Sequence, residues 1–407
     1  MSGRIRLSSG DYLSYSTESN FNYRITPNYI INYIKNNIIK LQYRISILNP
    51  DETIKSIIPS EDIIDGSYNE NYQNGQRRTL SVNLYNENGN YTPNINNYWI
   101  NDKFLYEVGV ETQDNIFWFK KGVYVINNTN TNQDISSKKT SIELGDKFLL
   151  FDGPSGVLET TYVIPVGTNI KSAIADILYS QLGNGYKYDY KPMFFHSSLN
   201  DKTTQTTITK EAGSSIGEII SELCTQLNAE YFYDVDGCFN VLPINDVIGD
   251  FEKPIVGALY AEDGDFISDG FQIDFGSVIN RVCVIGGGVN GRVFSATAIN
   301  DNVNSPVCYQ RVGYKTAQII SDSNITSDIL AQDRANYELR NKTIIKTNVS
   351  LQTYFNPYFY VNNIFEINDD FFKLKQSKFV IQSVSHSFNE GLMVITASNI
   401  ENLPFLI

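Results

Sequence analysis

The chain has 407 residues, 42% of them hydrophobic and 13% aromatic, and carries 32 Lys+Arg against 45 Asp+Glu for a formal net charge of −13. That length accommodates two or three domains, each with its own core. An acidic balance of this size argues against a protein that grips nucleic acid by neutralising phosphates, and no apolar stretch approaches the ~20 residues that a membrane span requires.

The charge is unevenly shared. Residues 1–156 carry 15 Lys+Arg and 17 Asp+Glu, net −2, which leaves −11 for the rest. Such a surface suits nucleic acid that must slide past without sticking, although ordinary solubility charge is the simpler reading of composition alone. The start, Met1-Ser-Gly-Arg-Ile-Arg6, leads into polar residues instead of an apolar signal core, so a soluble chain made in the cytoplasm is expected. Cys224, Cys238, Cys283 and Cys308 are widely spread without a CxxC pair and read as small buried hydrophobes rather than disulfide or zinc ligands. A histidine-based site would have to use His196 or His386, and His386 sits in an alternating, strand-like run.

In chain order, Tyr29–Lys35 reads as a short helix or an N-terminal arm. Lys40–Leu48 and the residues around Leu80, Val82 and Leu84 alternate polar and apolar, as strands do. Ile116–Phe119 and Val123–Ile126 flank Lys120-Lys-Gly122 as a hairpin, and Thr140, Ile142 and Leu144 line one face of a further strand. Short strands broken by Asn, Gly and Asp turns suggest a barrel or sandwich. The period then changes: Ile170, Ile174, Ile177 and Leu178 fall at helical spacing, with Thr168 or Asn169 available as cap. Ser215-Ile-Gly-Glu218 has capping-box form ahead of the apolar stripe Ile216, Ile219, Ile220, Leu223 and Leu227. Glu230–Leu242 reads as a hairpin turning at Asp236-Gly237. Beyond it, Val278–Ile285 reads as a buried strand and Ser327–Arg340 as a helix. Strands follow at Thr343–Leu351, Ile364–Ile367, Phe379–Val384 and Leu392–Ala397.

The expected fold is mainly β with an α+β insert. A first barrel with an N-terminal arm occupies residues 1–156, a helix-containing middle region 157–250, and a second β-barrel region with one helix 251–407.

Several motifs invite chemistry and do not support it. Gly286-Gly-Gly-Val-Asn-Gly291 has the G-x-G-x-x-G form, but the residues after it, Arg292–Ala298, read as strand where a dinucleotide site requires a helix. It is read as a flexible loop between strands. Asp234-Val-Asp-Gly237 begins like a calcium loop, yet its sixth position is Phe239 and its twelfth Asn245, so a hairpin turn is expected. Arg77-Arg78 reads as a partner contact or a solvated strand end, with phosphate binding the lesser alternative. Ser214-Ser215 reads as helix capping, and Asp263/Asp265 and Asp369/Asp370 as solvated turns. No catalytic, cofactor-binding or metal-binding residues are assigned.

Two stretches resemble the hub proteins at the tips of long-tailed phages and of related contractile particles. The first is Arg77-Arg-Thr-Leu-Ser-Val-Asn-Leu-Tyr through Pro93 and Trp99-Ile, with Phe104-Leu-Tyr-Glu-Val-Gly109, Lys121-Gly-Val-Tyr-Val-Ile126 and Ile142-Glu-Leu-Gly-Asp146. The second begins with Ser215–Leu227 and Ala229–Gly237. It continues through Ile279–Gly286, Ala335–Leu339 and Asn362-Asn-Ile-Phe-Glu-Ile367 to Phe379–His386. The family's frequent Gly-Asp at the start of its late strand is Asn362-Asn363 here.

The resemblance implies a homotrimer in which each chain contributes two tail-tube-like barrels, giving a ring of pseudo-sixfold symmetry around a DNA channel. Its implied partners are further copies of itself and a tail-tube or distal tail protein above. Below lies a spike, fibre or tail-tip protein, with a tape-measure protein among the neighbours. DNA would pass without specific binding, no cofactor is implied, and the protein would belong to the virion after assembly in the host cytoplasm. The rival readings are a receptor- or carbohydrate-binding tail component and, further off, a tail-associated cell-wall hydrolase.

Overall fold

A computed structural model describes the chain except residues 1, 7–11, 17–27, 37–39, 114, 135–136, 181–186, 245–254, 290–291, 323–324, 326, 389 and 404–407. The chain forms two compact units. One comprises residues 1–244, 354–361 and 383–393, and the other residues 245–353, 362–382 and 394–407. The middle region expected at 157–250 therefore belongs almost entirely to the first unit.

In the first unit, β1 (Ser2–Arg6) and β2 (Tyr12–Ser16) pair with each other, and α1 (Asn28–Asn36) follows. The arm thus contains a helix, which buries Ile30 and Ile34 in a cluster with Val110, Phe119 and Tyr358. Seven strands come next: β3 (Lys40–Leu48), β4 (Ile54–Ile58), β5 (Ile63–Asn71), β6 (Arg78–Tyr85), β7 (Lys103–Glu111), β8 (Ile116–Gln133) and β9 (Lys138–Asp146). Together with the end of β22 (Leu374–Ser387) they pair in the order β22-β5-β6-β9-β8-β7-β3-β4. Tyr43 of β3, next to the last strand of this order, and Phe388, just beyond β22 at its other end, stack their rings 4.4 Å apart. Phe388 also stacks on Tyr106 of β7 at 5.2 Å. Side chains from both ends share one core only if the sheet curls upon itself, as a barrel does.

Residues 116–126 are not the hairpin expected. They lie within the single strand β8, because β7 is long enough to pair with both halves. Tyr106 opposes Gly122 and Glu107 opposes Lys120, leaving Lys121 as the extra residue of a bulge. Gly122 adopts φ +147°, and a Cβ there would meet the Tyr124 hydroxyl at 2.8 Å. A turn and a bulge both call for such a glycine, so the two look alike in sequence.

The middle region packs β10 (Tyr162–Ile164), α2 (Ile170–Ser180), β11 (Phe194–Phe195), β12 (Ile208–Lys210), α3 (Ile216–Gln226), β13 (Ala229–Tyr233) and β14 (Phe239–Pro243) around one core. Asn169 caps α2, its Oδ1 accepting from the Ser172 amide at 3.0 Å. Ser215 caps α3 through the Gly217 amide. Glu218 pairs with Lys210 at 3.5 Å, a partner the capping-box pattern does not anticipate.

The second unit contains β15 (Ile255–Tyr260), β16 (Phe266–Ile273), β20 (Thr347–Tyr354), β21 (Ile364–Asp369) and β23 (Leu392–Asn399). With the first part of β22 these pair in the order β15-β21-β22-β23-β20-β16. A flat sheet would hold β15 and β16 five spacings of ~4.8 Å apart. A tight turn joins them instead, with the Asp265 amide donating to the Tyr260 carbonyl at 3.2 Å, so this sheet curls as well. A separate layer packs the helix Asp328–Lys342, capped by Ser327, on β17 (Arg281–Val289), β18 (Arg292–Ile299) and β19 (Ala317–Asp322).

Candidate functional site

His196, Ser215 and Asp234 each take part in local structure. His196 accepts from the Ser198 amide in a short turn. Cys224 and Cys308 are buried, whereas Cys238 and Cys283 are only partly so. Ser215 Oγ lies 2.8 Å from the Phe151 carbonyl and 2.7 Å from Asp152 Oδ1, which ties α3 to the end of the barrel. Asp234 Oδ1 accepts from the amides of Asp236 and Cys238 at 2.9 and 2.8 Å and so shapes the hairpin turn. Gly286 and Gly287 stay within β17, and a Cβ on Gly286 would meet the Ile325 carbonyl oxygen at 2.4 Å. Close backbone approach explains this glycine. Asn290 and Gly291 of the same motif lie outside the described residues.

Two expectations are overturned. The carboxylates of Asp265 and Asp369 are not solvated: both residues are buried and accept from turn amides, of Tyr260 at 2.9 Å and of Phe371 at 2.7 Å respectively. Asp263 and Asp370 are the exposed members of each pair. Arg77 and Arg78 are likewise buried, being neither a solvated strand end nor a phosphate site.

These arginines form a latch between the barrel and the middle region. Arg77 Nη2 binds Glu230 Oε2 at 2.9 Å, and its guanidinium lies 3.7 Å above the Phe232 ring. Arg78 pairs with Glu70 and donates to the Tyr233 carbonyl. The amides of Arg77 and Arg78 both donate to Asp146 Oδ2, at 2.7 and 3.0 Å. Burial pushes the Asp146 carboxyl up to about 6, outweighing these amides and the Arg78 charge.

A second cluster lies alongside. Lys147 is fully buried between Glu52, Asp189 and the Gly237 carbonyl, with 2.6 Å to Asp189 Oδ1 and 2.8 Å to the carbonyl. Lys103 and Lys191 reach the same Glu52, at 3.0 and 2.7 Å. Burial opposes the Glu52 charge, but Lys147 and Lys103 prevail and hold its carboxyl down at about 2. Next to this cluster, on the outer face of the barrel, opens a cleft of about 380 Å³. Leu48, Ile54, Ile57, Leu105 and Val123 give it apolar lining. Its charged lining is three ion pairs: Arg44–Glu107, Lys120–Asp236 and Lys191–Glu52.

The bulge sends Lys121 into the core. Its Nζ donates to the Pro357 carbonyl at 2.9 Å and stands 4.2 Å from the Tyr360 ring centre. His386 is buried nearby among Tyr68, Tyr106, Phe355 and Phe388. Burial first, and the Lys121 charge second, depress His386 to about 3. Because its folded value lies below the unfolded one, this group stabilises the protein above pH ~6.5 and loses that contribution as acid approaches the folded value. At pH 5 the loss from His386 alone is about 2 kcal/mol relative to pH 7. The denaturant midpoint at pH 5 should rise relative to that at pH 7 in His386→Phe, compared with the same signed difference in the unsubstituted protein. Asp146 works in the opposite direction, its contribution fading as pH rises through about 6, so the difference between the two proteins isolates the histidine. Equal signed differences would remove His386 from the acid response.

Lys121, Lys147 and Glu52 carried little signal in sequence. The hint at Lys147 is a lone cation opening the apolar run Phe148-Leu-Leu-Phe151.

A family model described as a domain of unknown function, DUF5048, matches residues 304–403. No curated protein matches the chain in sequence. Among solved structures, the 43 kDa tail protein of prophage MuSo2 from Shewanella oneidensis superposes with a TM-score of 0.56 at 12% identity, over 89% of this chain and 99% of that one. The tail protein from Neisseria meningitidis MC58 gives 0.55 at 8% identity, over 88% and 97%. Prophage tail protein gp18 from Listeria monocytogenes EGD-e gives 0.51 at 11%, over 87% and 94%. At these identities the likeness is one of fold. The chain has the fold of prophage tail proteins, as the resemblance to phage tail hubs implied.

Proposed function

We propose that the chain is a structural hub of a phage-type tail tip or baseplate. Three copies make a pseudo-sixfold ring that joins the tail tube to the spike or fibres and surrounds the DNA channel. The observation that supports this reading is that each compact unit has its own curled set of strands, the two sets sharing β22 in one continuous sheet. Three such chains supply six similar modules, the number a six-fold tube presents, while keeping three-fold symmetry for a spike. The curled strands of each compact unit are read as the two tube-like modules, the first completed by residues 383–387 of β22, and the middle region as an outward insert fixed by the arginine latch. The net charge of −13 fits a channel wall that DNA slides along without being held. The role is geometric, and the charged side chains of the latch and cluster hold shape instead of performing catalysis.

Immunogold labelling of intact particles checks the location. Gold at one end of the tail is expected. Gold along the full tail length, or none on particles, would contradict a tip hub.

A further inference from the structure

Strand β4 is an edge. Among the described residues it pairs with β3 alone, and Ile54 and Ile57 stand 61% and 53% exposed. Natural edges are blunted with charge, proline or bulges, so that they do not recruit another strand. The one charge on β4, Lys55, is drawn aside to Asp102 at 2.7 Å. Ile57 opposes Ser46, and Ile54 opposes Leu48, and all four line the 380 Å³ cleft. An unpaired backbone edge with a side-chain cleft beside it is the arrangement by which sheets accept extended peptides: main-chain bonds give affinity, and the cleft reads alternate side chains.

The cleft also states a preference. In two of its ion pairs the cation is the accessible member: Arg44 is 32% exposed against 10% for Glu107, and Lys191 31% against 2% for Glu52. An incoming strand with a carboxylate among apolar residues meets accessible positive charge over an apolar lining.

We infer that β4 and this cleft receive an extended acidic strand from a second copy of the chain, and that the strand is β16. The chain is itself strongly acidic. In its second unit β16 pairs with β20 alone among the described residues, and it exposes Ile267 and Asp269. Joining two different edges is a head-to-tail contact, which repeats and closes into a ring when the rotation permits. This inference rests on the ring reading above and adds the residues that make the joint.

The test places a photo-crosslinking phenylalanine analogue at Ile57 in the assembly formed with neighbouring tail proteins, followed by mass spectrometry of the adduct. A chain-to-chain adduct on a peptide containing residues 266–273 is the expected result. An adduct to a different protein, an adduct elsewhere on this chain, or none, would overturn the inference. A second arm uses I54K/I57K, which adds charge at exposed positions, with circular dichroism as the check that the variant is folded. Its self-association should weaken at least tenfold, and unchanged association would overturn the inference too. The two readings fail separately. An assembly without three copies defeats the hub, whereas a three-copy assembly indifferent to β4 defeats only this joint.

Discussion

Arg78→Met is expected to lower the unfolding free energy by roughly 3–5 kcal/mol, the range for removing one partner of a buried ion pair. Glu70 is fully buried. Without the guanidinium it keeps the Tyr68 hydroxyl, at 2.9 Å, but loses its ion-pair partner. The Tyr233 carbonyl loses a donor as well, so the connection of barrel to middle region weakens along with the pair. The companion double variant, Arg78→Met with Glu70→Leu, discriminates. It removes both charges and should recover much of the loss, because an apolar pair of similar volume has no charge to desolvate. Urea denaturation of the two variants measures this. A loss below about 1 kcal/mol for the single variant, the range of exposed pairs, would show that the latch does not hold the unit together.

Lys147→Met should destabilise on a similar scale, again roughly 3–5 kcal/mol, and chiefly through Asp189. Glu52 retains Lys103 and Lys191 when Lys147 is lost. Asp189 is fully buried, and its remaining donors at Oδ1 are the amides of Tyr190 and Lys191 at 2.8 and 3.0 Å. The control is Lys120→Ala in the pair with Asp236, whose side chains are 42% and 35% exposed. Solvent already screens that pair, so its loss should stay below about 1 kcal/mol. Comparable effects of the two substitutions in thermal and urea unfolding would refute the distinction drawn between core cluster and cleft rim.

The residues most legible in the sequence were those whose role is local. Ser215 announced a helix start because a cap engages an amide two residues away. The hairpin of β13 and β14 was legible for the same reason, its turn being built by Asp234 and Gly237 within five residues. Long-range partnerships left no such mark. Arg77 finds Glu230 across 153 positions, and Arg78 finds the Tyr233 carbonyl across 155, so a basic pair looked solvated when it is buried. The bulge at Lys121 depends on the register of β7, which lies on another strand. The return of residues 354–361 and 383–393 to the first unit is likewise invisible to periodicity, which reports that a strand exists and not which sheet it joins. The free edge at β4 was hidden too, since Ile54–Ile58 reads like any short apolar strand until its neighbours are known.

The mass of the purified assembly of this chain with its neighbouring tail proteins, measured intact by native mass spectrometry, bears most directly on the ring. Three copies of the 46.0 kDa chain per assembly are predicted. One copy, or six, would contradict a hub in which each polypeptide supplies two of six modules.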